Sequence, residues 1–409
     1  MDIRPLARKV KADVEFFAER GLPLASKFTS ERGPRRGHVL IAGPGQGSVG
    51  DEAMYQAFIA SCPGSVTVVG RDAADFRWTD ASGRVTYVFL ADLLYGSVRG
   101  RRRDLARLLP LAARSESVSI IGADVMDGVY SEVSSVRRFR TAGLAARVGV
   151  PSQVLGFSWN SHPTRRARNA MRAVGDEVTL LARDDFSAQR LRQDGASRVE
   201  AAADLAFLTR ADEPIEDQRL VQWLQDQRTA GRPLVVVNAN PRLEKAFPDQ
   251  RGQYLRLMRT LVSDGVSCVL LPHDSRGGDA SEETYLRTIR DEFGPSEHIH
   301  LVERAPMPAQ MVAITREAEL VVSGRMHLVV LTSVAGRSAV ALDYQDKFEG
   351  LFRILGYDGR IAATGEWDLV DRVRVGLREA PAAERALATS WEEILRRARL
   401  NLPASARSE

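Results

Sequence analysis

Lysine is nearly missing from this chain: of its 57 basic residues only Lys9, Lys11, Lys27, Lys245 and Lys347 are lysine. Where arginine is the default base, a lysine in an apolar context marks a place that wants a compact point charge. Cysteine is scarcer still. Cys62 and Cys268 are far apart and each lies near an apolar run, which argues against a structural disulfide or a zinc site and predicts two buried free thiols. Long apolar runs are lacking. Nothing approaches the roughly 18–20 residues of a membrane span, and the opening MDIRPLARKV has no apolar signal region. A cytoplasmic protein is expected. Charge of one sign is also lacking, with a formal net charge of +4 over 409 residues. Apart from Arg101-Arg102-Arg103 and a few arginine pairs the basic residues are scattered, without the interleaved aromatics of a nucleic-acid groove, so nucleic acid is not an expected partner.

What is present is a soluble globular composition, 44% apolar and 27% charged. The chain is too long for one ordinary core, and two domains are expected. After an N-terminal helical segment (1–37), apolar runs alternate with helical patterns. Strands are expected at 38–43, 66–70, 85–90, 118–122, 153–156 and 178–181. A polar junction follows at 208–232, and the rhythm restarts at 234–238, 267–271, 300–302, 320–322 and 339–342. This βαβ alternation predicts an α/β fold with parallel sheets. Two consecutive doubly wound, Rossmann-like units, at 38–207 and 233–382, facing a central cleft make a GT-B-like architecture. Residues 383–409 read as an amphipathic helix and tail. The segment 2–28 places Val10, Val14 and Phe17 on one helical face with lysine and arginine beside them. Docking on the protein's own body and a peripheral membrane contact, at the inner face, are its two readings.

The first strand runs into Gly43-Pro-Gly-Gln-Gly-Ser-Val-Gly-Asp-Glu52, with a helix expected from 53 to 60. Glycines at a helix start bring backbone N–H groups close to a ligand. Gly45-x-Gly47-x-x-Gly50 matches the dinucleotide fingerprint, with Asp72 downstream. Asp51 and Glu52 argue against that reading, because they put two carboxylates where a pyrophosphate would sit. Two alternatives stay open for the pair: stabilising the helix dipole, or serving as acceptors or bases toward hydroxyl groups.

In open α/β sheets ligands bind beyond the carboxyl ends of the strands. In the second half those ends carry Asn238 and Asn240, His273-Asp274, Glu303-Arg304, Arg325 and His327, then Asp343, Tyr344 and Lys347. Gly324-Arg-Met-His327 opens a short apolar helix. A histidine there sits in a positive field that favours the neutral ring. In the first half, Arg183-Asp-Asp-Phe-Ser187 ends a strand, with Asp184 or Asp185 as N-cap. Arg183 either projects toward a ligand or pairs with neighbouring carboxylates.

Together these pieces resemble the polysaccharide pyruvyl transferase family over about 38 to 358. The resemblance rests on Gly45-Gln-Gly-Ser-Val-Gly-Asp-Glu-Ala53, Arg183-Asp-Asp-Phe-Ser187, Leu271-Pro-His-Asp274, Gly324-Arg-Met-His-Leu328 and Ala341-Leu-Asp-Tyr-Gln-Asp-Lys347. It implies phosphoenolpyruvate as donor, held by Arg183, Arg325, His327 and Lys347 in a donor-side second domain. It also implies a saccharide acceptor, a cell-envelope or exopolysaccharide precursor on a lipid or nucleotide carrier. The acceptor side is the first domain, where Gly45, Gly47, Ser48, Gly50, Asp51, Glu52 and Asp124 are the expected contacts. Asn238, His273 and Tyr344 are further candidates. Ser48, the Gly122-Ala-Asp124 turn and the Gly156-Phe-Ser-Trp-Asn160 turn depart from the family's usual pattern, all on the acceptor side. His327, Asp51 and Glu52 are the candidate acid and base. No metal and no cofactor beyond the donor is called for, since no His/Cys cluster offers a metal site. A GT-B glycosyltransferase using a nucleotide sugar and a non-catalytic saccharide-binding protein are the rival readings.

Overall fold

Runs such as VTVVG, SVSII and LVVV are apolar at nearly every position because their strands are buried on both faces. A computed structural model describes residues 34–407 except 44, 46, 277, 279, 280, 345, 346 and 363–366. The helix expected at 2–28 lies outside the described residues. Contacts divide the chain into two units, which alternate along the sequence.

The first unit takes the described residues of Met1–Pro44, Phe58–Ala202 and Leu400–Glu409. Its seven strands are β1 (His38–Ile41), β2 (Val66–Gly70), β3 (Val85–Phe89), β4 (Ser117–Ile121), β5 (Ser152–Phe157), β6 (Val178–Ala182) and β7 (Val199–Ala201). All pair in parallel, in the order β3-β2-β1-β4-β5-β6-β7. The intervening helices are started by side chains that each accept the backbone N–H three residues on. Ser97 takes that of Gly100, Ser131 that of Ser134, Thr164 that of Ala167 and Asp184 that of Ser187. Trp159 is fully buried, edge-on to Phe139, and donates its indole N–H to Asp194 at 2.8 Å.

The tail returns to this unit. Asn401, fully buried, accepts the Gly156 N–H at 2.8 Å, and its carbonyl accepts the Gln153 amide at 2.8 Å. Asn401→Ala strands the Gly156 donor and should cost about 1–3 kcal/mol. Native-state hydrogen exchange at Gly156 and along β5 reads that loss, and unchanged protection there would refute the stitch.

The second unit takes the described residues of Gly45–Ala57 and Ala203–Arg399. Its strands are β8 (Leu234–Val237), β9 (Ser267–Leu270), β10 (Ile299–Leu301), β11 (Leu320–Ser323), β12 (Ala339–Asp343) and β13 (Arg360–Ala362). They form a parallel sheet in the order β10-β9-β8-β11-β12-β13. Chain order reverses between β8 and β11, which creates a switch point at their carboxyl ends. The glycine segment feeds the helix Val49–Ser61, which begins four residues before the expected 53, so Asp51 and Glu52 occupy its first turn. Leu369–Arg399 forms one long helix. Cys62 and Cys268 are both free and buried, and burial raises each thiol to about 12.

Candidate functional site

Polar groups gather where β8, β9 and β11 end. Asn238, the first residue after β8, is fully buried. It donates its amide to the Leu271 carbonyl at 3.0 Å and to Glu282 Oε2 at 2.7 Å, and accepts from Ser323 Oγ at 3.1 Å. It therefore ties three strand ends together rather than offering its amide to a ligand. Glu282, in the first turn of the helix Glu282–Phe293, also accepts the His273 backbone N–H at 2.8 Å and the Arg325 Nε. Arg325 reaches Asp274 at 3.2 Å as well. Arg276 binds both Asp274 oxygens, at 2.8 and 2.7 Å, and lies 3.7 Å from Asp51. Burial alone would raise the Asp274 carboxyl, but the Arg276 hydrogen bond and the Arg325 and Arg276 charges outweigh it and bring it to about 2.

The glycine segment belongs to this same unit. Ser48 makes an antiparallel bridge to Asp274, and the Ser275 N–H donates to the Gly47 carbonyl at 3.1 Å. Gly47 has a φ of +92°, which a side chain would strain. Gly45 closes the turn by accepting the Ser48 N–H at 2.7 Å. Gly50 has a different reason to be glycine: the His327 ring lies against it, where any Cβ would overlap the ring. Glu52 is fully buried, whereas the Asp51 side chain keeps 16% exposure beside Arg276.

His327 occupies the first turn of the helix Met326–Val334. That helix's N-cap residue, Arg325, makes no side-chain cap hydrogen bond. His327 Nε2 lies 3.4 Å from the buried Asp204 carboxylate. Asp204 itself caps the turn Leu205–Leu208 by accepting the Ala206 N–H at 2.9 Å. The His273 ring runs parallel to that of His327, 7° apart in plane and 6.5 Å between centroids. Tyr344, half-buried, packs on the second unit's core. Lys347 begins the helix Lys347–Leu355 after β12; its side chain lies outside the described set.

Arg183 and Asp124 belong to the first unit and meet there. Arg183 pairs with Asp124 and donates Nε to Ser158 Oγ at 2.7 Å, and Asp184 is the N-cap beside them. Sequence reasoning did not single out Asp204, Arg276, Glu282 or Ser323. Asp204 and Glu282 could be read locally only as helix-start carboxylates, and Arg276 lies in a loop after a strand.

The family model for polysaccharide pyruvyl transferase matches residues 65–346. The chain belongs to the polysaccharide pyruvyl transferase family. The match begins after the glycine segment and stops one residue short of Lys347, so those two features rest on the sequence and structure rather than on it. No curated protein sequence matches closely enough to count as a relative.

Solved structures share the fold of this family member. A UDP-N-acetylglucosamine 2-epimerase is similar with a TM-score of 0.58 at 10% identity, over 89% of this chain and 95% of that one. An α,α-trehalose-phosphate synthase (UDP-forming) from Burkholderia vietnamiensis gives 0.56 at 13%, over 92% and 98%. S. aureus MnaA, in a structure with UDP, gives 0.55 at 11%, over 90% and 98%. At such identities the likeness shows the fold alone, a GT-B-like pair of Rossmann-like domains. Among the described residues no helix is long and apolar enough to cross a membrane.

Proposed function

We propose that this transferase moves the pyruvyl group of phosphoenolpyruvate onto hydroxyls of a saccharide acceptor, closing a pyruvate ketal and releasing phosphate. The observation that carries the reading is the start of the helix Met326–Val334. It opens at the β8/β11 switch point, its N-cap residue Arg325 makes no side-chain cap hydrogen bond, and its first turn holds His327. Backbone N–H groups and the helix dipole make such a start favourable for an anion. The neighbouring strand β12 leads to Lys347, the scarce point charge, at the start of the next helix. A phosphate and a carboxylate on one small donor suit that pair of helix starts.

In this reading His327, oriented by Asp204, gives a proton to the donor's methylene carbon. C2 becomes electrophilic, and the first acceptor oxygen bonds to it as its hydroxyl proton passes back to the His327 ring. A second hydroxyl oxygen then bonds to C2 as the bond from C2 to the phosphate oxygen breaks, and the phosphate leaves with that hydroxyl's proton. Arg325 and Arg276, already bound to carboxylates, shape the site and offset its negative charge. The acceptor follows from the family: a cell-envelope or exopolysaccharide precursor, lipid- or nucleotide-linked.

The test is incubation with phosphoenolpyruvate and a panel of nucleotide-linked and lipid-linked sugars, reading phosphate release and the acceptor's gain of one pyruvate less one water. His327→Ala should lower turnover by roughly 10²-fold or more while the chain still folds. Transfer from a UDP-sugar in the same panel, with no phosphate from phosphoenolpyruvate, would sink the reading.

A further inference from the structure

The long helix Leu369–Arg399 comes close to the second unit's sheet at Gly376, where a Cβ would stand 2.7 Å from Val340 Cγ2 and 3.0 Å from Leu320 Cδ2. Further along, Ala382, Ala383 and Ala386 are too short to fill the space beside them. A half-open cavity of about 330 Å³ remains. It lies within the second unit at the amino ends of β11, β12 and β13, with Leu320, Ala339 and Gly359 in its wall. His327 and Lys347 follow the opposite ends of β11 and β12. The rim is exposed at Gly356, Asp358, Glu379 and Ala382, so solutes can enter.

Two polar groups in that wall are left over. The Ser338 hydroxyl, on a residue 1% exposed, and the Arg372 Nε have no hydrogen-bond partner among the described residues. Such groups are costly in a native interior unless something supplies the partner. One terminal nitrogen of Arg372 donates to the Arg360 carbonyl at 3.0 Å. Tyr357, also in the wall, accepts the Ala339 N–H at 3.0 Å, and burial pushes its phenol up, so it keeps its own proton. Arg372, Ser338 and Tyr357 therefore all have a proton to donate. The carboxylates stand at the rim: Asp358 is bound by Arg360 at 2.9 and 3.1 Å, and Glu379 is exposed. Water satisfies the donors but leaves the apolar wall of Leu320, Val340 and Val375 hydrated. A solute with one anionic end and an apolar body meets both demands.

We propose that this cavity is a second ligand site of the chain, taking a small monocarboxylate with a compact apolar body. The carboxylate accepts from Arg372, and the body lies against Leu320, Val340 and the alanines of the helix. A phosphate dianion fits less well, because Asp358 and Glu379 at the rim repel its second charge. A sugar fits less well again, since its hydroxyls would face an apolar wall and lose their hydrogen bonds to water. The site is independent of the pyruvyl-transfer reading and goes beyond it.

The test is a titration with cyclohexanecarboxylate, followed by the ligand's own NMR signals, with the neutral cyclohexanecarboxamide of similar shape as control. The acid should bind one to one with a Kd of about 1 mM or tighter, and the amide at least about tenfold more weakly. Arg372→Met keeps an unbranched stem but removes the charge, and should weaken the acid by about tenfold or more. Ala383→Leu should fill the cavity and end binding, with a melting temperature no lower than the parent's. If that variant melts lower, Ala382→Leu at the exposed rim makes the same test without entering the core. His327→Ala, at the other end of the strands, should bind the acid within about twofold of the parent. No saturable binding up to about 10 mM acid, or parent-like binding by the leucine variants, overturns the site. Equal binding of acid and amide, or of the parent and Arg372→Met, overturns the carboxylate assignment. Loss of binding in His327→Ala would put the acid at the carboxyl ends of the strands and overturn the proposal.

Discussion

Removing the Glu282 carboxylate should cost the second unit about 3–5 kcal/mol, the range for breaking a buried ion pair from one side. Glu282 is 1% exposed and holds three donors: the Arg325 guanidinium, the Asn238 amide and the His273 N–H. Glu282→Ala leaves a guanidinium with one carboxylate instead of two and strands an amide and a backbone donor. Glu282→Gln keeps the shape but turns one acceptor into a donor facing other donors, so it should recover only part of the loss. A two-unit chain need not unfold in one step, so the opening free energy is best read amide by amide. Hydrogen exchange along β8, β9 and β11 should report the drop, with the first unit's strands unaffected. A change below about 1 kcal/mol in those three strands would mean that Glu282 is not the anchor.

Gly50→Ala should cut turnover to the level of His327→Ala. A methyl at Gly50 would stand 2.8 Å from His327 Cβ and inside the space of its ring, so the ring must leave its place beside Asp204. Overpacking of this kind also costs about 1–3 kcal/mol. The discriminating measurement is the double variant. If Gly50 acts through His327, then adding Gly50→Ala to His327→Ala should change turnover little further, because the effects are not additive for residues in contact. Turnover near the parent's in Gly50→Ala alone, or full additivity in the pair, would remove the link.

Most strands were legible because they are buried on both faces and need no alternation to be recognised. β7 and β13 escaped notice for the opposite reason. Each is a three-residue edge strand, only partly buried, without an apolar run to mark it. At the site, residues that directly follow strands could be read from the order of elements, which is how Asn238, His273, Arg325 and His327 came into view. What each does could not. Asn238 is consumed by a structural knot, and Arg325 is tied to two carboxylates. Asp204 meets His327 from 123 residues away, and Glu282 meets Arg325 from 43 away. Local patterning sees each acid only as the start of its own turn or helix. The glycine segment shows the same limit: beside β1 in sequence, it packs with the second unit, where its bare Gly50 accommodates an imidazole.

The return of residues 400–407 to the first unit bears on how the chain is made. A protein is synthesised from its N-terminus, and domains tend to close as they emerge. Here the first unit's sheet cannot complete its interior at β5 until Asn401, 245 residues after Gly156, has left the ribosome. A chain broken before Asn401 would thus carry its fault at β5, far in sequence from the break.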